Sequence, residues 1–125
     1  MHIKEARDIN GKCNAAALIL QMEIKTSEKG GYRIVTLEGE FNLYTVRELK
    51  EAIFNSITTT DASIILDMKK VTYMDSNAIG VLYAAQKKLH DMNKELYVTS
   101  MTIELADVMR IVGIKFGTMD IDSLQ

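Results

Sequence analysis

The sequence predicts a single α/β domain, a mixed β-sheet in the element order β-β-α-β-α-β-α-β with helices packed on it. Three observations point there. β-rich segments on either side of Gly30-Gly31 read as an opening hairpin. The continuous apolar run Ile64-Ile65-Leu66 suits a central parallel strand covered on both faces. Apolar stripes at three- and four-residue spacing flank that strand on both sides and read as amphipathic helices. Strand–helix–strand units imply parallel pairing with right-handed crossovers, and the hairpin adds an antiparallel edge.

Taken in order, residues 1–21 read as an N-terminal extension, set apart by the Asn10-Gly11 turn signal and a short Ala/Leu/Ile run. A native extension, a cloning remnant and a misplaced start are all open for it. The domain proper is placed at 22–125. Met22 to Thr26 predicts an edge strand, Ser27 to Gly31 a polar turn, and Tyr32 to Glu38 a second strand, with Gly39 to Asn42 leaving the sheet. Thr45 is placed to cap a helix carrying Val46, Leu49, Ile53 and Ile57, and Glu48 stands where a capping box needs it. That helix ends near Thr58-Thr59-Thr60, where β-branched residues cluster. Ser63 to Met68 is the central strand. Val71, Tyr73 and Met74 then read as anchors in a loop that delivers Asp75-Ser76 to the next helix. Ala78, Leu82, Ala85, Leu89 and Met92 form its stripe, and Asn93 is a left-handed stop. Glu95 to Thr99 is a strand. Thr102 caps a third helix, with Ile103, Ala106, Met109 or Arg110, and Gly113 marking its turns and Leu105, Val108 and Val112 adding apolar surface. Gly113 stops it, and Ile114 to Met119 is a last strand interrupted by Gly117.

Composition narrows the function. The chain has 125 residues, 47% hydrophobic and 26% charged, which is ordinary globular usage. Fifteen basic against 17 acidic residues leave a net charge of −2, without the basic excess of a nucleic-acid binder. The apolar run Ala15 to Leu20 is too short to span a bilayer and lacks the flanks of a signal peptide. A lone cysteine, Cys13, fits a reducing cytoplasm. The two histidines, His2 and His90, are far apart and make no metal set with one cysteine. No Walker-type or dinucleotide loop follows a strand, and no acid, base and nucleophile converge in one motif. The expectation is a binding module that works as a regulatory switch, with no catalytic residues, no metal and no cofactor.

The informative stretch runs from Val71 to Leu82. Ligands of open α/β sheets gather outside strand ends, and free N–H groups at a helix start favour negative charge. The plainest account of Asp75 or Ser76 is a helix N-cap and nothing more, since both residue types are preferred there.

Tyr73-Met74-Asp75-Ser76-Asn77-Ala78-Ile79-Gly80-Val81-Leu82 resembles the signature loop of STAS domains, specifically the bacterial anti-sigma factor antagonists. That pattern is an aromatic or apolar pair, Asp-Ser, then Ser/Thr-Gly-Leu-Gly and an apolar helix. Gly39-Glu40-Phe41-Asn42 with Thr45, Leu66-Asp67-Met68 and Ile111-Val112-Gly113-Ile114 fit the same template, which covers about residues 22–120. The resemblance implies a phosphoacceptor at Ser76 and a partner-binding surface of Tyr73, Met74, Asp75, Ser76, Asn77 and Asn42. It implies an anti-sigma factor of the histidine-kinase-like ATPase type as partner, bound by the unphosphorylated form and released on phosphorylation. A PP2C-type phosphatase would reset the switch. STAS scaffolds in other signalling complexes and nucleotide-binding STAS modules are the alternatives. The chain departs from the pattern at Asn77 for Ser/Thr, Ala78 for Gly and Asn42 for Asp. A phosphoserine adds about −1.5 to −2 charge at pH 7. At a helix N-terminus that charge leaves its own helix intact. It burdens an interface instead, so a switch of binding and not of folding is expected.

Overall fold

The computed structural model describes residues 22–111 and 113–124. The extension at 1–21, with His2 and Cys13, and Val112 of the third apolar stripe lie outside the described residues. Among these the chain runs β1 (Met22–Lys29), β2 (Tyr32–Phe41), α1 (Val46–Thr59), β3 (Ile64–Met74), α2 (Ser76–Asp91), β4 (Leu96–Thr99), α3 (Ile103–Ile111) and β5 (Gly117–Thr118), then a 3-10 turn at Ile121–Ser123. The element order is the predicted one. The strands form one five-stranded sheet in chain order, β1-β2-β3-β4-β5. β1 pairs antiparallel with β2, and the remaining pairings are parallel.

Each crossover steps to the next strand in the same direction, so right-handedness puts the described helices on one face. α1 and α2 pack against each other there. Leu49, Ile53 and Ile57 of α1, Ala78, Leu82, Ala85 and Leu89 of α2, and Leu105 and Met109 of α3 meet Val35, Leu37, Ile64, Leu66, Leu96 and Val98 in one core. Burying such a side chain stabilises by about 1.5–3 kcal/mol. Ile34 and Ile65 alternate to the opposite face and are buried too, at 5% and 0% exposure. The run Ile64-Ile65-Leu66 is therefore covered on both faces, as its continuous apolar character requires.

Several boundaries differ from expectation. β1 continues through Ser27 to Lys29, because the turn takes only Gly30 and Gly31. Both have positive φ, 58° and 85°, the requirement of a two-residue hairpin turn whose twist matches its strands. Gly39 to Phe41 stay in the sheet as the end of β2. The largest correction concerns Val71, Tyr73 and Met74, which are strand and not loop. Pairing of β3 with β2 shifts register twice, between Thr36 and Glu38 and between Gly39 and Glu40. Each shift inserts an extra residue into β3, and a bulge of this kind turns the following side chain to the other face. Met68, Val71 and Met74 all become buried at three-residue spacing, which an alternating strand cannot give.

Thr45 precedes α1 but makes no side-chain cap bond. Its backbone is αR (φ −111°, ψ −5°), and its hydroxyl turns back towards β2. There it accepts from Asn42 N at 2.8 Å and donates to the Glu40 carbonyl at 3.0 Å. The expected capping box with Glu48 is therefore not formed. The Asn42 carbonyl receives Val46 N at 2.8 Å instead. Thr102 does cap α3, accepting from Leu105 N at 3.3 Å. Ile103, expected on the buried side of α3, is 78% exposed, because Leu105 and Met109 face the core. The last strand shrinks to Gly117-Thr118.

Candidate functional site

The site lies where β2 and β3 end side by side. Asp75 N donates to the Phe41 carbonyl at 3.0 Å, which fastens the start of α2 to the end of β2. Only Asp75 separates β3 from α2. Its backbone is extended (φ −90°, ψ −178°), which an N-cap requires, and its Oδ1 accepts from Ala78 N at 3.0 Å. Asn77 Nδ2 donates to the other carboxylate oxygen, Oδ2, at 3.4 Å. Asp75 is thus the cap.

Ser76 is the first residue of α2 and is exposed. Among the described residues its hydroxyl has no hydrogen-bond partner. Of the two readings of Asp75-Ser76 as a cap, one residue is used and the other is spare. The hydroxyl stands at the positive end of a 16-residue helix, where added negative charge is favoured.

The other sequence-predicted site residues fall around it unevenly. Tyr73, the penultimate residue of β3, is 53% exposed, and Asn77 is exposed beside Ser76. Met74 is 6% exposed and belongs to the core, so it offers a partner no more than an edge. Asn42 is half-buried, and its Oδ1 accepts from Tyr44 N at 2.9 Å. An Asp at this position accepts in the same way, so this departure from the family pattern leaves the turn intact. Ala78 is fully buried, and its methyl fills core space where the family pattern has glycine.

The structure adds residues that sequence reasoning missed. Leu43 and Tyr44, in the turn after β2, are 65% and 52% exposed. On the α3 side a hollow of about 750 Å³ opens beside Ser76, with Tyr73, Ile79, Gly80, Tyr83, Val108 and Ile114 in its wall. Tyr83 was not singled out by any sequence signal, and the hollow itself depends on tertiary placement. Gln86 Nε2 donates to the Lys115 carbonyl at 2.6 Å and ties the two walls together. Among the described residues no group of His, Cys, Asp or Glu side chains could hold a metal ion, and no helix is long and apolar enough to cross a membrane.

A mixed sheet with one-sided right-handed crossovers, presenting an Asp-capped helix with a spare serine at a strand end, defines a class of small α/β domain. The STAS domain model matches residues 23–121, and the chain belongs to this family. A relative from Staphylococcus aureus (strain NCTC 8325 / PS 47), named anti-sigma-B factor antagonist, is 28% identical over 96 residues, covering 77% of this chain and 89% of the relative. Among solved structures, an anti-sigma factor antagonist from Mycobacterium paratuberculosis superposes with a TM-score of 0.67 at 18% identity, covering 74% of this chain and 78% of that one. The Bacillus cell fate determinant SpoIIAA in its phosphorylated form superposes with a TM-score of 0.64 at 16% identity, covering 78% and 90%. These likenesses bear out the STAS resemblance and the mixed-sheet fold.

Proposed function

We propose that this protein is an anti-sigma factor antagonist, a cytoplasmic non-enzymatic regulator switched by phosphorylation at Ser76. Its partner in this reading is a kinase-type anti-sigma factor with a histidine-kinase-like ATPase fold, bound through Tyr73, Asp75, Ser76, Asn77 and the Asn42 turn. The observation that carries the reading is the division of labour at the start of α2. Asp75 supplies the cap, so Ser76 can be modified without loss of the helix.

In the modification step the Ser76 Oγ attacks the γ-phosphorus of ATP held by the partner. The new O–P bond forms as the bond to ADP breaks, and the hydroxyl proton passes to a base on the partner. The product carries a near-dianion over an apolar rim formed by Tyr73 and Ile79. Placed inside an interface, that charge loses hydration without a matched cation among these residues, and the complex separates. Hydrolysis of the phosphate by a PP2C-type phosphatase restores the binding form. The names of the relatives and the phosphorylated state of SpoIIAA support this reading.

Pull-downs from the native host with wild type, Ser76→Ala and Ser76→Asp test it. The expected result is a kinase-type anti-sigma factor recovered by wild type and Ser76→Ala and lost by Ser76→Asp. Equal recovery by all three would exclude Ser76 as the control point.

A further inference from the structure

The glycines of this chain mostly explain themselves. Gly30, Gly31, Gly39 and Gly113 have positive φ. At Gly117 an added Cβ would meet the Tyr97 ring at 2.8 Å. Gly80 is the exception among the described residues. It lies inside α2 with no positive φ, it is exposed, and a Cβ built there meets nothing within 4 Å. A glycine inside a helix costs about 0.5–1 kcal/mol relative to alanine. No packing among the described residues requires it.

Gly80 also lines the hollow beside Ser76. Around that hollow Tyr73, Tyr83 and Val108 stand 53%, 51% and 40% exposed. Three large apolar side chains left half-open about one concavity are the setting in which a partner's apolar anchor gains most on burial. The described lining is mostly apolar, with no Lys, Arg or His among the described lining residues, which favours an apolar group over a phosphate-bearing one. Asp75 and Ser76 form its polar edge, which makes it continuous with the switch surface.

We propose that the hollow between α2 and α3 seats an apolar anchor side chain of the anti-sigma factor, and that the bare backbone at Gly80 lets that anchor reach α2. This rests on the reading of the protein as an anti-sigma factor antagonist and names where the partner's binding energy is gained. A protein occupant is favoured over a small molecule because the exposed rings of Tyr73 and Tyr83 extend the apolar surface beyond the hollow itself. Phosphorylation at Ser76 then acts at the edge of the seat, putting charge beside the anchor.

The test is calorimetric affinity for the purified kinase-type anti-sigma factor of the same organism. Wild type, Gly80→Ala, Gly80→Leu and Val108→Asp are compared, with Tm and circular dichroism recorded for each. Gly80→Leu fills the hollow from a site where its Cβ clashes with nothing. The expected result is a folded Gly80→Leu protein with Kd raised about tenfold or more, and a smaller rise for Gly80→Ala. Wild-type Kd in folded Gly80→Leu overturns this inference and leaves the function standing. No binding by wild type overturns both. If Gly80→Leu does not fold, Gly80→Ala and Val108→Asp decide, and wild-type Kd in both overturns it. A melting shift by indole that Gly80→Leu abolishes, with unchanged affinity for the anti-sigma factor, reassigns the hollow to a small ligand and overturns it as well.

Discussion

Asp75 and Ser76 are neighbours of similar capping preference, yet the fold gives them different work. The extended backbone at Asp75 aims its carboxylate at Ala78 N, while Ser76 already has helical geometry and points to solvent. Asp75→Ala should therefore destabilise the protein by about 1 kcal/mol, read as a fall in the urea midpoint. Ser76→Ala should stay within about 0.5 kcal/mol of wild type in the same experiment. An equal loss for both variants would mean that the serine shares the cap. The motif was legible in the sequence, but which of the two residues capped was not, because propensity is the same for both and backbone torsion decides. Thr45 shows the same limit. Its position before a helix was readable, but the αR backbone that turns its hydroxyl back to Glu40 was not.

At the scale of elements, the first two helices were readable because most of their stripes survive in the fold, whereas Met92 of the α2 stripe lies past the helix end at 38% exposure and Ile103 and Ala106 of the α3 stripe are exposed. Leu49, Ile53 and Ile57 on α1 and Ala78, Leu82, Ala85 and Leu89 on α2 are all buried. Truncating one of them, Leu82→Ala, should cost about 2–5 kcal/mol in denaturant unfolding, by lost burial and the cavity left behind. The end of β3 was not readable. Two register shifts replace alternation with three-residue spacing from Met68 to Met74, and a strand without its period resembles a loop. The hollow escaped for a related reason, since its walls come from β3, α2, α3 and the segment after α3. On α2, Gly80→Ala should raise stability by about 0.5–1 kcal/mol, because the helix gains propensity and no neighbour is displaced. A lower Tm for this variant would show a packing role for the bare backbone.

For the whole molecule, the proposed switch is one of surface and not of fold. Ser76 is exposed and is not one of the core residues, and the phosphate would sit at the favourable end of the α2 dipole. A homogeneous phospho-Ser76 sample should keep its far-UV circular dichroism and melt no lower than the unmodified protein. The sheet order, the parallel register and the one-sided helices together bring the Asn42 turn, Tyr73 and Ser76 to one end of the molecule, where a single partner can cover them. The most direct measurement compares the Kd of unmodified and phospho-Ser76 protein for the purified kinase-type anti-sigma factor at one salt concentration. The expected result is weakening of about tenfold or more with an unchanged circular dichroism spectrum. Equal affinity of the two forms would contradict a phosphorylation switch at Ser76.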